Sequence, residues 1–105
     1  MSTVSTHVLD TALGQPAQGI PVTLECGGRA VGTLVTDADG RARDFPAAVS
    51  GPCRLVFSVG DYFKQAGRES LYTTILIEFN LSNPTAHYHI PLLLSPFGYS
   101  TYRGS

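Results

Sequence analysis

Apolar residues recur at every second position in several short segments: Val22, Leu24 and Cys26, then Cys53, Leu55, Phe57 and Val59, then Ile75, Ile77 and Phe79. A period of two places such side chains on one face of an extended strand. Turn signals separate the segments at short intervals, namely Gly27-Gly28, Asp37-Ala38-Asp39-Gly40, Ser50-Gly51-Pro52 and Ser82-Asn83-Pro84. Short alternating strands joined by tight turns predict an all-β, two-sheet antiparallel sandwich. Eight strands are expected, near 4–10, 20–27, 30–37, 41–45, 53–59, 72–81, 86–94 and 98–104. One segment departs from the pattern: Asp61 is positioned to cap a short helix through Tyr62, Phe63, Lys64 and Gln65, with Gly67 closing it in a left-handed conformation.

At 105 residues, with 43% of them apolar, the chain can bury roughly 65% of its unfolded surface around one core, so residues 1–105 are expected to form a single domain. Only 14% of residues are charged, against an average of about 25%, which predicts an oligomer that hides part of its surface. Seven basic and eight acidic residues nearly cancel and no Lys/Arg cluster occurs, so neither nucleic acid nor an anionic membrane is the expected partner. No apolar run approaches membrane-spanning length, and residues 1–10 lack a basic start followed by an apolar stretch. A cytoplasmic location is the expectation. Cys26 and Cys53 both fall on alternating apolar positions and are expected as free core thiols, with a disulfide between them the alternative.

The C-terminal stretch is the most informative about function. If Ser95 to Gly98 is a four-residue turn, Leu94 pairs with Tyr99, Leu93 with Ser100, Pro91 with Tyr102 and His89 with Gly104. Directly paired residues share a face. One face of this hairpin then carries His89, Pro91, Leu93, Ser100 and Tyr102, a mixture suited to the wall of a polar pocket, with an ordinary surface histidine at 89 the alternative. The other carries Ile90, Leu92, Leu94, Tyr99, Thr101 and Arg103, and is expected to face the core. Pro91 has no N–H to donate, so its nitrogen must lie at an unpaired side or a bulge. Near the amino terminus Ser5, His7 and Leu9 share one strand face and Thr6 and Val8 the other. Alternation alone leaves open which is inward, and a solvated or core-satisfied His7 is as compatible with it as a functional one.

Other motifs are weaker. His87 and His89 stand two apart on a strand, where both imidazoles point the same way, and His7 would be a third zinc ligand; no acidic or cysteine ligand follows at useful spacing, so no metal is expected. Asp37-Ala38-Asp39-Gly40 lacks the later carboxylates of a calcium loop and reads as a hairpin turn, with Gly40 at positive φ. Arg41 follows directly, either solvated or gripping a planar, oxygen-rich ligand by paired hydrogen bonds. No Gly-x-Ser-x-Gly elbow, phosphate-cradling loop or Cys beside a His is present, which disfavours covalent catalysis. The chemistry left to these residues is histidine acting on water.

Ser5-Thr6-His7-Val8-Leu9-Asp10, Thr36-Asp37-Ala38-Asp39-Gly40-Arg41, the block from His87 to Pro96 and above all the terminal Tyr102-Arg103-Gly104-Ser105 resemble the 5-hydroxyisourate hydrolases, the transthyretin-related proteins of purine catabolism. The resemblance runs from about residue 4 to the last residue, and the final tetrapeptide separates the hydrolases from transthyretin, the carrier of the same fold. It implies a transthyretin-like sandwich, a homotetramer with active sites in a channel at the subunit interface, and no cofactor. It further implies that His7, Arg41 and His89 are catalytic and that His7, Arg41, Ser100, Tyr102, Arg103 and Ser105 contact the substrate. Arg43 shares a face with Arg41 by alternation and competes with it for that role. The alternatives are a transthyretin-like carrier of a small aromatic ligand, without chemistry, and a purely structural sandwich.

Overall fold

The computed structural model describes residues 2–45 and 50–105. Ten strands and one short helix follow in chain order: β1 (Thr3–Asp10), β2 (Gln15–Pro16), β3 (Pro21–Cys26), β4 (Arg29–Val35), β5 (Arg41–Ala42), β6 (Gly51–Ser58), α1 (Gly60–Gln65), β7 (Thr74–Leu81), β8 (His87–His89), β9 (Leu92–Ser95) and β10 (Gly98–Thr101). They form two sheets. One runs β4-β3-β6-β7; the other runs β10-β9-β1-β2, with β5 and β8 also paired to β1. Between the sheets lie Val4, Val8, Leu92 and Leu94 from one side and Val22, Leu24, Leu55, Phe57 and Ile75 from the other, all buried. Each such side chain contributes about 1.5–3 kcal/mol through removal from water.

The two-sheet all-β architecture is the one alternation predicts, with three local differences. First, the expected strand over 86–94 is two strands, because Pro91 interrupts the ladder; the register continues unshifted across the gap, Ser5 opposite His89 and Val8 opposite Leu92. Second, β1 runs parallel to β8 and β9 within an otherwise antiparallel fold. Third, β2 is a two-residue strand too short to show a periodicity.

The cysteines are a correction. Cys26 and Cys53 are buried as expected, but they form a disulfide and are not free thiols. The antiparallel register of β3 and β6 sets them directly opposite, with Cα atoms 4.1 Å apart. Alternation gives each cysteine its face; it carries no information on which strands are neighbours.

Helix α1 is also corrected at its start. Val59 occupies the N-cap without any side-chain capping bond, and Asp61 lies in the first turn. Its end is as expected: Gly67 has φ +66°, and the Gly67 and Arg68 amides donate to Lys64 O and Phe63 O, a Schellman closure. That closure delivers Arg68 to the buried carboxylate of Asp10. Arg68 Nη1 and Nη2 donate to Asp10 Oδ2 (2.6 Å) and Oδ1 (3.2 Å), while Tyr62 Oη donates to Oδ2 (2.7 Å). The helix is thereby tied to the end of β1.

Candidate active site on the outer face of β1

Strand β1 turns Val4, Thr6, Val8 and Asp10 toward the sandwich and Thr3, Ser5, His7 and Leu9 to the opposite face. Every neighbour of β1 adds to that outer face by register: Arg41 of β5 is opposite His7, His87 and His89 of β8 are opposite Thr3 and Ser5, and Leu93 of β9 is opposite Leu9. The result is a cleft of about 240 Å³ lined by Ser5, Thr6, Arg41, Arg43, His87, His89 and Ser105. That is slightly below the ~300–1,000 Å³ of pockets for drug-sized ligands, and suits a small ring.

Arg41 is aimed by the turn before it. Asp37 Oδ1 accepts the Asp39 and Arg41 amides at 2.9 and 3.0 Å, and the Gly40 amide donates to Asp37 O. Gly40 has φ +76°, and a Cβ there would collide with the carbonyl oxygen of Val8, so both conformation and space require glycine. The turn is therefore docked on β1, and Arg41 emerges beside His7.

His89 is held from two sides. Ser5 Oγ lies 2.8 Å from its Nδ1. On the other side the Gly104 amide donates to His89 O at 2.7 Å, and a Cβ at Gly104 would approach the imidazole Cδ2 to 2.6 Å. Glycine at this place is a matter of close approach to the ring. Burial of the imidazole, together with the guanidinium groups of Arg41 and Arg43 and the nearby imidazoles of His7 and His87, holds His89 below the ordinary value of 6.5 and so favours its neutral form.

The hairpin arithmetic is matched by the observed pairs: Tyr99 with Leu94, Ser100 with Leu93 and an isolated bridge between His89 and Gly104. Not all the expected contacts converge in one chain. His89, Arg41 and Ser105 line the cleft, and His7 is half-buried opposite Arg41. Ser100 and Tyr102 are exposed and lie outside that lining. Arg103 turns away: its guanidinium lies over the Tyr88 ring, 4.4 Å from the centroid, and Nη2 donates to His87 O at 3.4 Å. It anchors the tail from behind the cleft.

Ser5 was legible as a face-mate of His7 but carried no chemical signal of its own, because its value comes from the parallel neighbour β8. The three histidines do not form a metal set; among the described residues no group of three or more His, Cys, Asp or Glu is placed to hold a metal ion. Nor, among those residues, is any helix long and apolar enough to cross a membrane.

Comparison with known proteins agrees with this geometry. Residues 4–104 match the model of the HIUase/Transthyretin family. A 5-hydroxyisourate hydrolase of Caulobacter vibrioides is 44% identical, covering all of both chains. The solved Klebsiella pneumoniae 5-hydroxyisourate hydrolase is 45% identical with a TM-score of 0.92, again over all of both chains. Sea bream transthyretin, solved in complex with thyroxine, is 25% identical with a TM-score of 0.86, covering 96% of this chain and 93% of its own. A match over nearly the whole chain, with the fold and the histidine face both in place, means that this protein belongs to the HIUase/Transthyretin family.

Proposed function

We propose that this protein hydrolyses 5-hydroxyisourate, opening its six-membered ring at an acyl C–N bond to give 2-oxo-4-hydroxy-4-carboxy-5-ureidoimidazoline. The observation that carries this reading is the convergence on one outer face of a neutral, clamped imidazole (His89), an arginine aimed by a docked turn (Arg41) and the chain's last residue, Ser105. Ring opening needs a base for water, positive charge for the oxyanion on the carbonyl and a proton for the departing nitrogen. A neutral imidazole meets the first need and, once protonated, the third. His89 and His7 share the proton transfers. Arg41 holds substrate oxygens and stabilises the oxyanion, a role worth about 3 kcal/mol for a single donor. Arg43 adds positive charge to the same wall.

In this reading the 105 residues act as one domain, without metal or cofactor. The half-exposed Tyr99 and Tyr102 and the strongly exposed Phe97 and Leu71 support burial against further copies of the chain, in a homotetramer whose sites lie where subunits meet. Ser100 and Tyr102 then close and orient the site, and Arg103 holds the tail in place from behind it. The carrier alternative has no use for a glycine packed on an imidazole ring, and the family members at 44–45% identity are hydrolases by name.

The deciding experiment adds purified protein to freshly generated 5-hydroxyisourate and follows the absorbance decay. Faster decay, proportional to enzyme, is expected; decay at the buffer rate would overturn the proposal. Deleting residues 102–105 is expected to abolish this acceleration while far-ultraviolet circular dichroism stays unchanged, because the tail supplies Gly104 and Ser105 but no core side chain. A fully active truncation would remove the tail from the site.

The pH profile has a definite sign. A lowered His89 value keeps the base neutral as pH falls, so the acid limb of kcat/KM is expected below pH 6.5 and not at it. A limb at or above that value would show that His89 is not the base.

A further inference from the structure

We propose that Ser5 and His87 form a proton path behind His89, linking its Nδ1 to the surface at Thr3 while Nε2 works in the cleft. This rests on the hydrolytic reading above. The parallel register of β1 and β8 sets Thr3 opposite His87 and Ser5 opposite His89, which puts all four side chains on the same outer face. Ser5 Oγ lies 2.8 Å from His89 Nδ1 and 3.0 Å from His87 Nε2. The remaining nitrogen of His87, Nδ1, is 2.5 Å from Thr3 Oγ1. Hydroxyls and imidazoles thus alternate without a gap from the half-buried His89 to the exposed Thr3, and the connecting hydroxyl is itself buried, at 6% exposure.

Such a chain can be satisfied in two directions, because a hydroxyl both donates and accepts and a neutral imidazole does one at each nitrogen. In one direction His89 Nδ1–H donates to Ser5, Ser5 donates to His87 Nε2, and His87 Nδ1–H donates to Thr3. Nε2 of His89 is then bare and able to accept a proton. In the other direction every donor is reversed and Nε2 of His89 carries a proton it can give. The reaction needs these two states in turn.

When Nε2 takes a proton from water, the Nδ1 proton crosses to Ser5 as the Ser5 proton crosses to His87 Nε2. His87 in turn gives its Nδ1 proton to Thr3, whose own proton passes to solvent. When the departing nitrogen takes the Nε2 proton, the chain runs back and refills Nδ1. Each bond broken is matched by one formed, no electrons change hands, and His89 never has to retain a positive charge. That last point matters because Arg41 of β5 and Arg43 beyond it oppose such a charge, and the imidazoles of His7 of β1 and His87 of β8 stand close by.

The test uses the full chain and the variants Ser5→Ala, Ser5→Thr and His87→Ala. Expected are a fall in kcat of about 10-fold or more for Ser5→Ala and His87→Ala, part of the ~10²–10⁴ that acid–base catalysis supplies, with KM close to wild type. Recovery in Ser5→Thr, which keeps the hydroxyl, is also expected. Wild-type kcat in His87→Ala, an exposed residue whose loss leaves the core untouched, would overturn the proposal. The second measurement is ¹⁵N spectroscopy of the imidazoles, in which the His89 Nδ1 signal should move in Ser5→Ala. If the wild-type protein fails to accelerate 5-hydroxyisourate decay, the hydrolytic reading fails, and these spectra alone decide: an unmoved Nδ1 signal overturns the hydrogen-bonded path.

Discussion

Replacing His89 by alanine is expected to lower the turnover of 5-hydroxyisourate by at least ~100-fold, the lower end of what a general acid or base supplies. The size of the effect follows from position. His89 is the ring that Ser5 orients, Gly104 covers and the surrounding cations keep neutral, so no neighbour can take over at the same atom. Alanine also leaves space beneath Gly104, which could loosen the tail. His89→Asn separates the two effects: its amide can still meet Ser5, but it does not titrate. Both variants are expected to be equally slow, with unchanged size-exclusion profiles. Near-normal turnover in either would take the imidazole out of the chemistry.

Arg68→Met is expected to destabilise the fold by about 3–5 kcal/mol, the cost of removing one partner from a buried ion pair. For a domain near 100 residues each kcal/mol shifts Tm by roughly 4–8 °C, so the melting temperature should fall by at least ~12 °C at fixed protein concentration. The cause is Asp10, whose side chain is 0% exposed and which would keep only Tyr62 Oη and the Leu13 amide as partners. Burial raises its pKa, but the bonds from Arg68, Tyr62 and Leu13 outweigh it and hold the carboxyl below its ordinary 3.8. The folded value is thus the lower one, so Asp10 contributes its stability above about pH 3.8 and loses it as the pH falls through the folded value. The gap between wild type and variant is therefore expected to close in acid, where a protonated Asp10 no longer needs the guanidinium. Equal melting temperatures at neutral pH would show that the pair contributes nothing.

The strand faces were legible because burial imposes a period of two, and Val22, Leu24, Leu55 and Phe57 obey it without exception. The pairing of the last hairpin was legible for Tyr99 with Leu94, Ser100 with Leu93 and His89 with Gly104, since a four-residue turn fixes the count beyond it. Its expected core face holds only for Ile90, Leu92 and Leu94: Tyr99, Thr101 and Arg103 are exposed. Neighbour relations were not. The disulfide depends on β3 lying beside β6, and the Ser5 bridge depends on β1 lying parallel to β8, over a separation of 84 residues. Periodicity within a segment has no access to either. The site divides in the same way: hairpin counting puts His89 and Tyr102 on one polar face, His7 and Arg41 need the motif resemblance, and the placement of Arg103 over Tyr88 depends on what stands behind the hairpin.

Because β1 finds its parallel neighbours only among residues 87–95, one of its edges waits for chain that leaves the ribosome much later. At ~5–20 residues per second, the edge of β1 that faces β8 and β9 stays unpaired for several seconds of translation, while β2 and β5 can already meet its other edge. A fragment that stops short of residues 87–95 would therefore present part of a bare strand edge to other chains.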